Sequence, residues 1–343
     1  MITTESPSGT PYHRLLRCDP HHRWWRPLVV GLVAIGLYLA ALAGVVVVAV
    51  VVVLAVPSAE PAGSMSWEGD LDPSDPVSLA LLLGMLALML PALLLAARLT
   101  GSRPAGLVSS VAGRLRLRWL GTAVLVAFAI WAPVMGVWVA IDAVPHEVRH
   151  VAPTTSVVLL VLTLALVPFQ AAAEEYVFRG YLAQLVGSWV RHPLFAVLLP
   201  VPLFVLGHGY HALGAVDVGV FAVFCGWITW RTGGLEAAIA AHVANNVVLL
   251  SLTAFGLGDP NATDTTPLGL AVSTATMVTF AVLVVRRADA LGISRNRAAV
   301  VEVRPTEIDP GRLPDGRSDA ELLRVVPGPL LEGAGRPAEE RRR

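Results

Sequence analysis

Long apolar runs without charge dominate the sequence, and the first of them, residues 27–56, contains no Asp, Glu or Arg. About 20 apolar residues suffice for a helix to cross a bilayer, whereas the apolar part of a secretory signal has only about 7 to 15. This run therefore predicts a membrane helix that is not cleaved, and the later runs predict seven more. The eight predicted helices span residues 27–56, 77–99, 119–141, 155–187, 193–212, 215–230, 234–254 and 267–285.

The composition agrees with a protein that lies in lipid, since 55% of the residues are hydrophobic and only 15% are charged. The 25 acidic residues balance the 25 basic ones, all of them Arg, so the chain lacks the basic excess of a nucleic-acid-binding protein. Its two cysteines, Cys18 and Cys225, exclude a disulfide scaffold and a zinc site made of Cys. We therefore expect an all-α polytopic membrane protein with about eight transmembrane helices in one bundle, surrounded by the lipid bilayer.

Arginine is distributed unevenly between the predicted loops. Arg14, Arg17, Arg23 and Arg26 precede the first run, whereas residues 57–76 contain no Arg and carry five acidic residues. Because loops rich in Arg stay in the cytoplasm, this asymmetry places the N-terminus inside. With eight crossings, both termini face the cytoplasm of a multi-pass protein in the cell membrane.

Polar side chains interrupt three of the predicted helices. An ionisable side chain near the middle of a bilayer costs about 2.5 to 3.5 kcal/mol on insertion, so its presence there indicates a functional site. The interruptions are Glu174, Glu175 and Arg179 in the fourth helix, His208 in the fifth, and His242 with Asn246 in the seventh.

Helical spacing distinguishes the two neighbouring glutamates. Glu175 and Arg179 are four residues apart with the acid first, which is the favourable order for an ion pair on one helix face. Glu174 points about 100° away around the helix, so its carboxylate is available to another helix. Glu174 is therefore the predicted catalytic carboxylate.

The same reasoning brings three helices together around Glu174. His242 and Asn246 are also four residues apart and share one face of the seventh helix. If the fourth and fifth helices form an antiparallel hairpin that turns near residue 191, Glu174 and His208 lie at the same depth. We predict one site that contains a carboxylate, two imidazoles and an amide.

These residues form three motifs that occur in a fixed order along the chain. They are Glu174-Glu175-x-x-x-Arg179, Phe204-x-x-x-His208 and His242-x-x-x-Asn246. In this pattern the chain resembles the CAAX prenyl endopeptidase and bacteriocin-processing family of intramembrane proteases, known as CPBP or Abi proteins. The resemblance covers residues 155 to 255. It implies a bundle of eight helices with a water-filled cavity open to the cytoplasmic side.

The resemblance also implies a role for each residue in peptide hydrolysis. Glu174 would activate a water molecule, His208 would position or polarise it, and His242 with Asn246 would stabilise the oxyanion. Structural support is implied for Glu175, Arg179 and Phe204, the last of which packs in the site or contacts substrate. The implied partner is a membrane protein or peptide: a leader peptide, a bacteriocin, a lipidated protein or another membrane protein.

The use of a metal stays open at this stage. Glu174, His208 and His242 match the three-ligand set of a catalytic Zn²⁺ site, in which the metal lowers the pKa of its bound water to about 7. The same three residues could act without metal. A zinc site that used Glu174 as a ligand would lack an obvious general base, because Glu175 is expected to pair with Arg179.

Two other classes of protein fit the same residues. Buried Glu, His and Asn in a polytopic bundle also mark the ion pathway of a transporter or a proton relay. The sequence shows no inverted repeat, which argues against a transporter. The second alternative is an inactive member of the resembled family that acts as an immunity or scaffold protein, although its motifs are intact.

The chain is expected to divide into four segments. Residues 1–26 form a cytoplasmic N-terminal tail, and residues 27–150 form the first three helices and their loops. Residues 151–287 form the protease-like core. Residues 288–343, which are rich in Arg, Glu, Pro and Gly, are expected to form a disordered cytoplasmic tail.

Overall fold

The computed structural model describes residues 9–19, 22–55, 71–100, 105–142, 150–259 and 261–298. Within them it contains helices α1 (Arg26–Ala55), α2 (Pro76–Ala87), α3 (Met89–Leu99), α4 (Leu117–Asp142), α5 (Pro153–Glu175), α6 (Ala183–Trp189), α7 (Pro193–Leu198), α8 (Val201–Leu206), α9 (Ala212–Thr232), α10 (Glu236–Ala254) and α11 (Pro267–Ala290). A π-helical segment, Tyr176–Leu182, joins α5 to α6. Two 3-10 helices, Tyr12–Cys18 and Ala105–Val108, and two short strands, β1 (Thr10–Pro11) and β2 (Asn296–Arg297), complete the described part.

Seven helices in the described residues are long and apolar enough to cross a membrane. They are Arg26–Val52, Pro76–Leu99, Leu117–Ala140, Pro153–Trp189, Ala212–Thr232, Glu236–Ala254 and Pro267–Ala290. The predicted class, an all-α polytopic membrane protein, is confirmed.

The fifth predicted helix differs from the prediction in its length. We expected one helix over residues 193–212, but α7 and α8 are six residues each and the helical part ends at Leu206. Pro200 and Pro202 account for the break, because proline lacks the backbone N–H that a helix needs and clashes with the preceding turn. His208 therefore lies in a turn after α8 and not within a helix.

This short helical pair still connects the two ends of the bundle. At its start, the Arg191 carbonyl lies 3.0 Å from Nε2 of His13, in the N-terminal 3-10 helix. After its end, the backbone N–H of His211 donates to the Thr263 carbonyl in the loop before α11. Seven of the eight predicted helices thus correspond to long apolar helices in the described residues, and the fifth corresponds to a short, interrupted segment.

Helix α10 lies between two apolar clusters and positions the site. Leu235 and Ile239 pack in one cluster with α1, α2, α3 and α5. Ala237, Ala241 and Ala244 pack in the other with α4, α9 and α11. Because Ala side chains are small, neighbouring helices can approach the α10 backbone closely.

The start of α10 is fixed by a buried ion pair. Glu236 is fully buried, and its two carboxylate oxygens accept from Nε and Nη2 of Arg116 at 2.9 and 2.7 Å. A bidentate pair of this kind fixes both the position and the orientation of the first turn of α10. Gly233, at φ 70°, ends α9 in the left-handed conformation that glycine adopts easily, and it allows the sharp turn into α10.

The two described ends of the chain meet at one end of the bundle. Strand β1 pairs antiparallel with β2, with Thr10 opposite Arg297. This is the arrangement that an even number of crossings requires. The predicted boundary of the C-terminal tail was too early, because α11 continues to Ala290 and β2 follows it. Residues 299–343 of that tail, and 57–70 of the acidic loop, lie outside the described residues.

The orientation in the membrane can be tested at two exposed positions at opposite ends of the bundle. In a variant with both native cysteines replaced by serine, Ala262→Cys should react with an impermeant maleimide in intact cells. Ala298→Cys should react only after permeabilisation, because the distribution of Arg predicts that this end of the bundle faces the cytoplasm. The reverse pattern would invert the topology, and labelling of both from one side would mean that α11 does not cross the membrane.

Candidate active site

The two glutamates end α5, directly before the π-helical segment. Glu175 is completely buried, and Nη1 of Arg179 donates to its Oε1 at 3.0 Å. The ion pair predicted from the spacing of Glu175 and Arg179 is therefore present. π-Helical turns within α-helices occur frequently at functional sites.

Glu175 has a second partner that the sequence did not indicate. Its Oε1 also lies 2.8 Å from Nδ1 of His242, on α10. A carboxylate next to Arg179 accepts hydrogen bonds, so we assign the ring proton of His242 to Nδ1. Glu175 thus orients the imidazole and leaves Nε2 as the ring atom that faces the site.

The Nε2 atom of His242 faces Glu174. It lies 3.8 Å from Oε2 of this carboxylate, and both side chains are buried. No hydrogen-bond partner for Glu174 Oε2 exists among the described residues. The separation is too long for a direct hydrogen bond but suits a single water molecule that contacts both atoms.

A chain of amides holds the other oxygen of Glu174. Nε2 of Gln170 donates to Glu174 Oε1 at 2.5 Å, and Nδ2 of Asn246 donates to Gln170 Oε1 at 3.1 Å. Asn245 continues the chain, since its Nδ2 donates to Asn246 Oδ1 and its Oδ1 accepts from Trp131. His242 and Asn246 both face α5, as their spacing predicted. Gln170 was missed, although its position four residues before Glu174 was a usable signal.

His208 packs against Phe204, whose ring also lies near His242 and Arg179. Its Nδ1 lies 2.7 Å from the Phe204 carbonyl oxygen, and its half-buried ring lies 4.4 Å from the Phe204 ring. Because a carbonyl oxygen only accepts, Nδ1 of His208 carries the proton and Nε2 is left for other contacts. The Phe204 ring is buried, lies 6.4 Å from the His242 ring and stacks 4.1 Å from the guanidinium of Arg179.

Tyr210 is a further aromatic residue beside His208 that the sequence prediction did not include. Its ring lies 5.8 Å from the His208 ring. Burial, together with the negative charges of Asp217 and Glu174, raises the pKa of the Tyr210 hydroxyl above its usual value. The turn after α8 therefore places the Tyr210 ring beside the His208 ring.

The predicted zinc ligands do not come together as one set. Within the part of the chain that the structure describes, no three side chains of His, Cys, Asp and Glu are grouped to hold one metal ion. Oε2 of Glu174 and Nε2 of His242 are two donor atoms 3.8 Å apart, and no third donor is grouped with them among the described residues. The described side chains do not form the ligand set of a catalytic Zn²⁺ site, which needs three.

The fold and this site define a polytopic membrane protein with a buried pair of carboxylate and imidazole, in which a second carboxylate orients the imidazole. Residues 154–248 match the family model described as type II CAAX prenyl endopeptidase Rce1-like. This match confirms the resemblance seen in the sequence and supports a hydrolase of the protease type. It includes every residue of the site from Gln170 to Asn246.

Among curated proteins the chain is similar to the uncharacterized protein YyaK of Bacillus subtilis (strain 168). The two are 29% identical over 167 residues, which are 47% of this chain and 56% of YyaK. The alignment thus spans little more than half the length of that relative. No solved structure matches the chain.

Proposed function

We propose that this protein is an intramembrane endopeptidase that hydrolyses a peptide bond in a membrane-associated or lipidated protein or peptide. The observation that carries the proposal is the 3.8 Å separation between Glu174 Oε2 and His242 Nε2, with Glu175 behind the imidazole. The Rce1-like match over residues 154–248 supports the same activity.

In the first step, Glu174 and His242 bind the attacking water molecule. A water between Glu174 Oε2 and His242 Nε2 donates one hydrogen to each, because the neutral imidazole accepts at Nε2. Glu174 takes one proton as the water oxygen forms a bond to the peptide carbonyl carbon. The carbon–nitrogen bond then breaks, and the proton on Glu174 passes to the leaving amine.

The remaining site residues act on the carbonyl group of the substrate. Asn246 uses one hydrogen of its Nδ2 for Gln170, so the second can stabilise the developing oxyanion. His208 presents Nε2 from the turn after α8, where its protonated form can donate to the same oxygen. Gln170 keeps the Glu174 carboxylate in place, and Arg179 holds the Glu175 carboxylate against the imidazole.

The substrate is expected to reach the site from the membrane, because the catalytic pair lies within apolar helices. A leader peptide, a bacteriocin, a lipidated protein or another membrane protein fits this requirement. The transporter alternative gains no support from the Rce1-like match, and nucleic acid is not an expected partner. The next experiment distinguishes an active enzyme from an inactive immunity or scaffold protein.

The proposed function predicts peptide ends that depend on Glu174. Quantitative mass spectrometry of protein termini should find a set of new termini in cells with the parent protein that is lost in the Glu174→Ala strain. The matched control is Asp217→Asn, which replaces a half-buried carboxylate on α9 outside the catalytic set. Its strain should keep those termini. Identical termini in all three strains would contradict the endopeptidase proposal and favour an inactive family member.

The donor geometry predicts a reaction that does not need zinc. After chelator treatment, the purified protein should retain full activity with far less than one metal ion per chain, because two donors do not hold a catalytic metal. Metal content by mass spectrometry and activity should be measured on the same sample. Loss of activity with chelator and its specific recovery with Zn²⁺ would instead make Glu174 and His242 metal ligands.

A further inference from the structure

Three arginine residues lie near one another at the end of the bundle that carries both described chain ends. Arg14 and Arg17 belong to the N-terminal 3-10 helix, and Arg191 belongs to the turn between α6 and α7. The 3-10 helix packs on α6 because Nε2 of His13 contacts the Arg191 carbonyl at 3.0 Å and Nε of Arg17 donates to the Ser188 carbonyl at 2.7 Å. The fold therefore brings like charges together from two distant parts of the chain.

The two described segments that supply these arginines contain a single acidic residue. Residues 9–26 contain one acid, Asp19, and residues 183–193 contain none. The buried Nη1 of Arg14 has no acceptor among the described residues. Burial, together with the positive charges of Arg17 and Arg191, lowers the pKa of the Arg14 guanidinium. A buried donor without an acceptor is costly, and a bound anion removes that cost.

Tryptophan side chains indicate the depth of the cluster in the membrane. Trp24, Trp25 and Trp189 are exposed to 67%, 46% and 45%, and Nε1 of Trp189 donates to the Trp24 carbonyl. Exposed Trp residues at the ends of membrane helices lie at the level of the lipid headgroups. Trp189 is two residues from Arg191, so the cluster lies where lipid phosphates are concentrated.

We propose that Arg14, Arg17 and Arg191 bind the phosphate of an anionic phospholipid and that this lipid holds the N-terminal 3-10 helix against α6. The guanidinium group suits this ligand because it donates two parallel hydrogen bonds to phosphate oxygens. The exposed Trp residues favour a lipid over free phosphate as the source of the anion. This site is separate from Glu174 and His242, and it does not depend on the proposed protease activity.

The test uses the full-length protein in a neutral detergent, titrated with phosphatidylglycerol, phosphatidylcholine or inorganic phosphate. Native mass spectrometry should show phosphatidylglycerol binding at least about tenfold more tightly than phosphatidylcholine, and it alone should raise the melting temperature. Arg14→Gln/Arg191→Gln should weaken phosphatidylglycerol binding by at least about tenfold. The control Arg118→Gln removes an exposed charge near the start of α4 and should leave binding unchanged.

Equal phosphatidylglycerol binding by the parent and the double variant would overturn the proposal. If inorganic phosphate binds as tightly as phosphatidylglycerol and displaces it, the ligand of the site is free phosphate, and the proposal of a lipid is wrong. If the double variant does not fold, the single variant Arg191→Gln tests the proposal. Its contact with His13 is preserved, because that contact uses the Arg191 backbone carbonyl. Its phosphatidylglycerol binding should weaken about fivefold, and no change would overturn the site.

Discussion

Glu174→Gln should lower the rate of peptide-bond hydrolysis by about 10² to 10⁴-fold while the protein keeps its yield and melting temperature. The amide oxygen of Gln can still accept the hydrogen bond that Gln170 donates to Glu174 Oε1, so the local structure is preserved. It cannot take a proton from water. The measurement is the cleavage rate of a substrate identified from the protein termini, with the purified variant in detergent or proteoliposomes.

Two further variants show whether the loss at Glu174 is specific. Asp217→Asn makes the same chemical change at a carboxylate on α9 and should keep the parental rate. His242→Ala should also abolish hydrolysis. Because this substitution removes a partner of the buried Glu175, the melting temperature of the variant must be compared with that of the parent. If Glu174→Gln cleaves as fast as the parent, Glu174 is not the base, and a transporter or scaffold becomes the better explanation of the buried polar residues.

Arg179→Ala should lower the yield and the melting temperature strongly. The substitution leaves Glu175 completely buried without its cation, and breaking a buried ion pair by removal of one partner costs about 3 to 5 kcal/mol. It also removes the stacking of the guanidinium on Phe204, which lies 4.1 Å away. Yield of inserted protein and melting temperature in detergent measure the effect.

The exposed Arg118 provides the matched control for Arg179. Arg118→Ala also removes one guanidinium and should change stability by no more than about 0.5 kcal/mol. Arg179→Lys should recover part of the lost stability, because it keeps the charge but not the planar fork. Parental yield and melting temperature in Arg179→Ala would mean that the ion pair of Glu175 with Arg179 does not stabilise the fold.

The length and charge of the apolar runs were sufficient to predict the seven long helices, but not the short fifth segment. The predicted first helix, residues 27–56, differs by one residue at each end from α1, and the predicted seventh helix ends where α10 ends, at Ala254. Because a bilayer accepts few charged residues, the ends of a membrane span can be predicted from where the charged and polar residues begin. The pair Glu175 and Arg179 was predictable for a similar reason, because residues four apart on a helix are neighbours whatever surrounds the helix.

Contacts between helices could not be derived in the same way. The sequence indicated the face of α10 that carries His242 and Asn246, but not the rotation and depth at which this face meets α5. That choice depends on the Ala side chains of α10 and on the buried pair of Arg116 with Glu236. A change of one residue in depth moves a side chain by about 1.5 Å, which is enough to break a hydrogen bond.

The sequence by itself determined the helical membrane class, the ion pair of Glu175 with Arg179 and the polar residues proposed for the site, apart from Gln170. Only the tertiary structure decided that Glu175 also orients His242, that Gln170 links Glu174 to Asn246, and that His208 lies in a turn after α8. The reason is one of range: span length and i, i+4 spacing are local properties of the chain. The hydrogen bond between Glu175 and His242 joins residues 67 positions apart and exists only once α5 and α10 have packed.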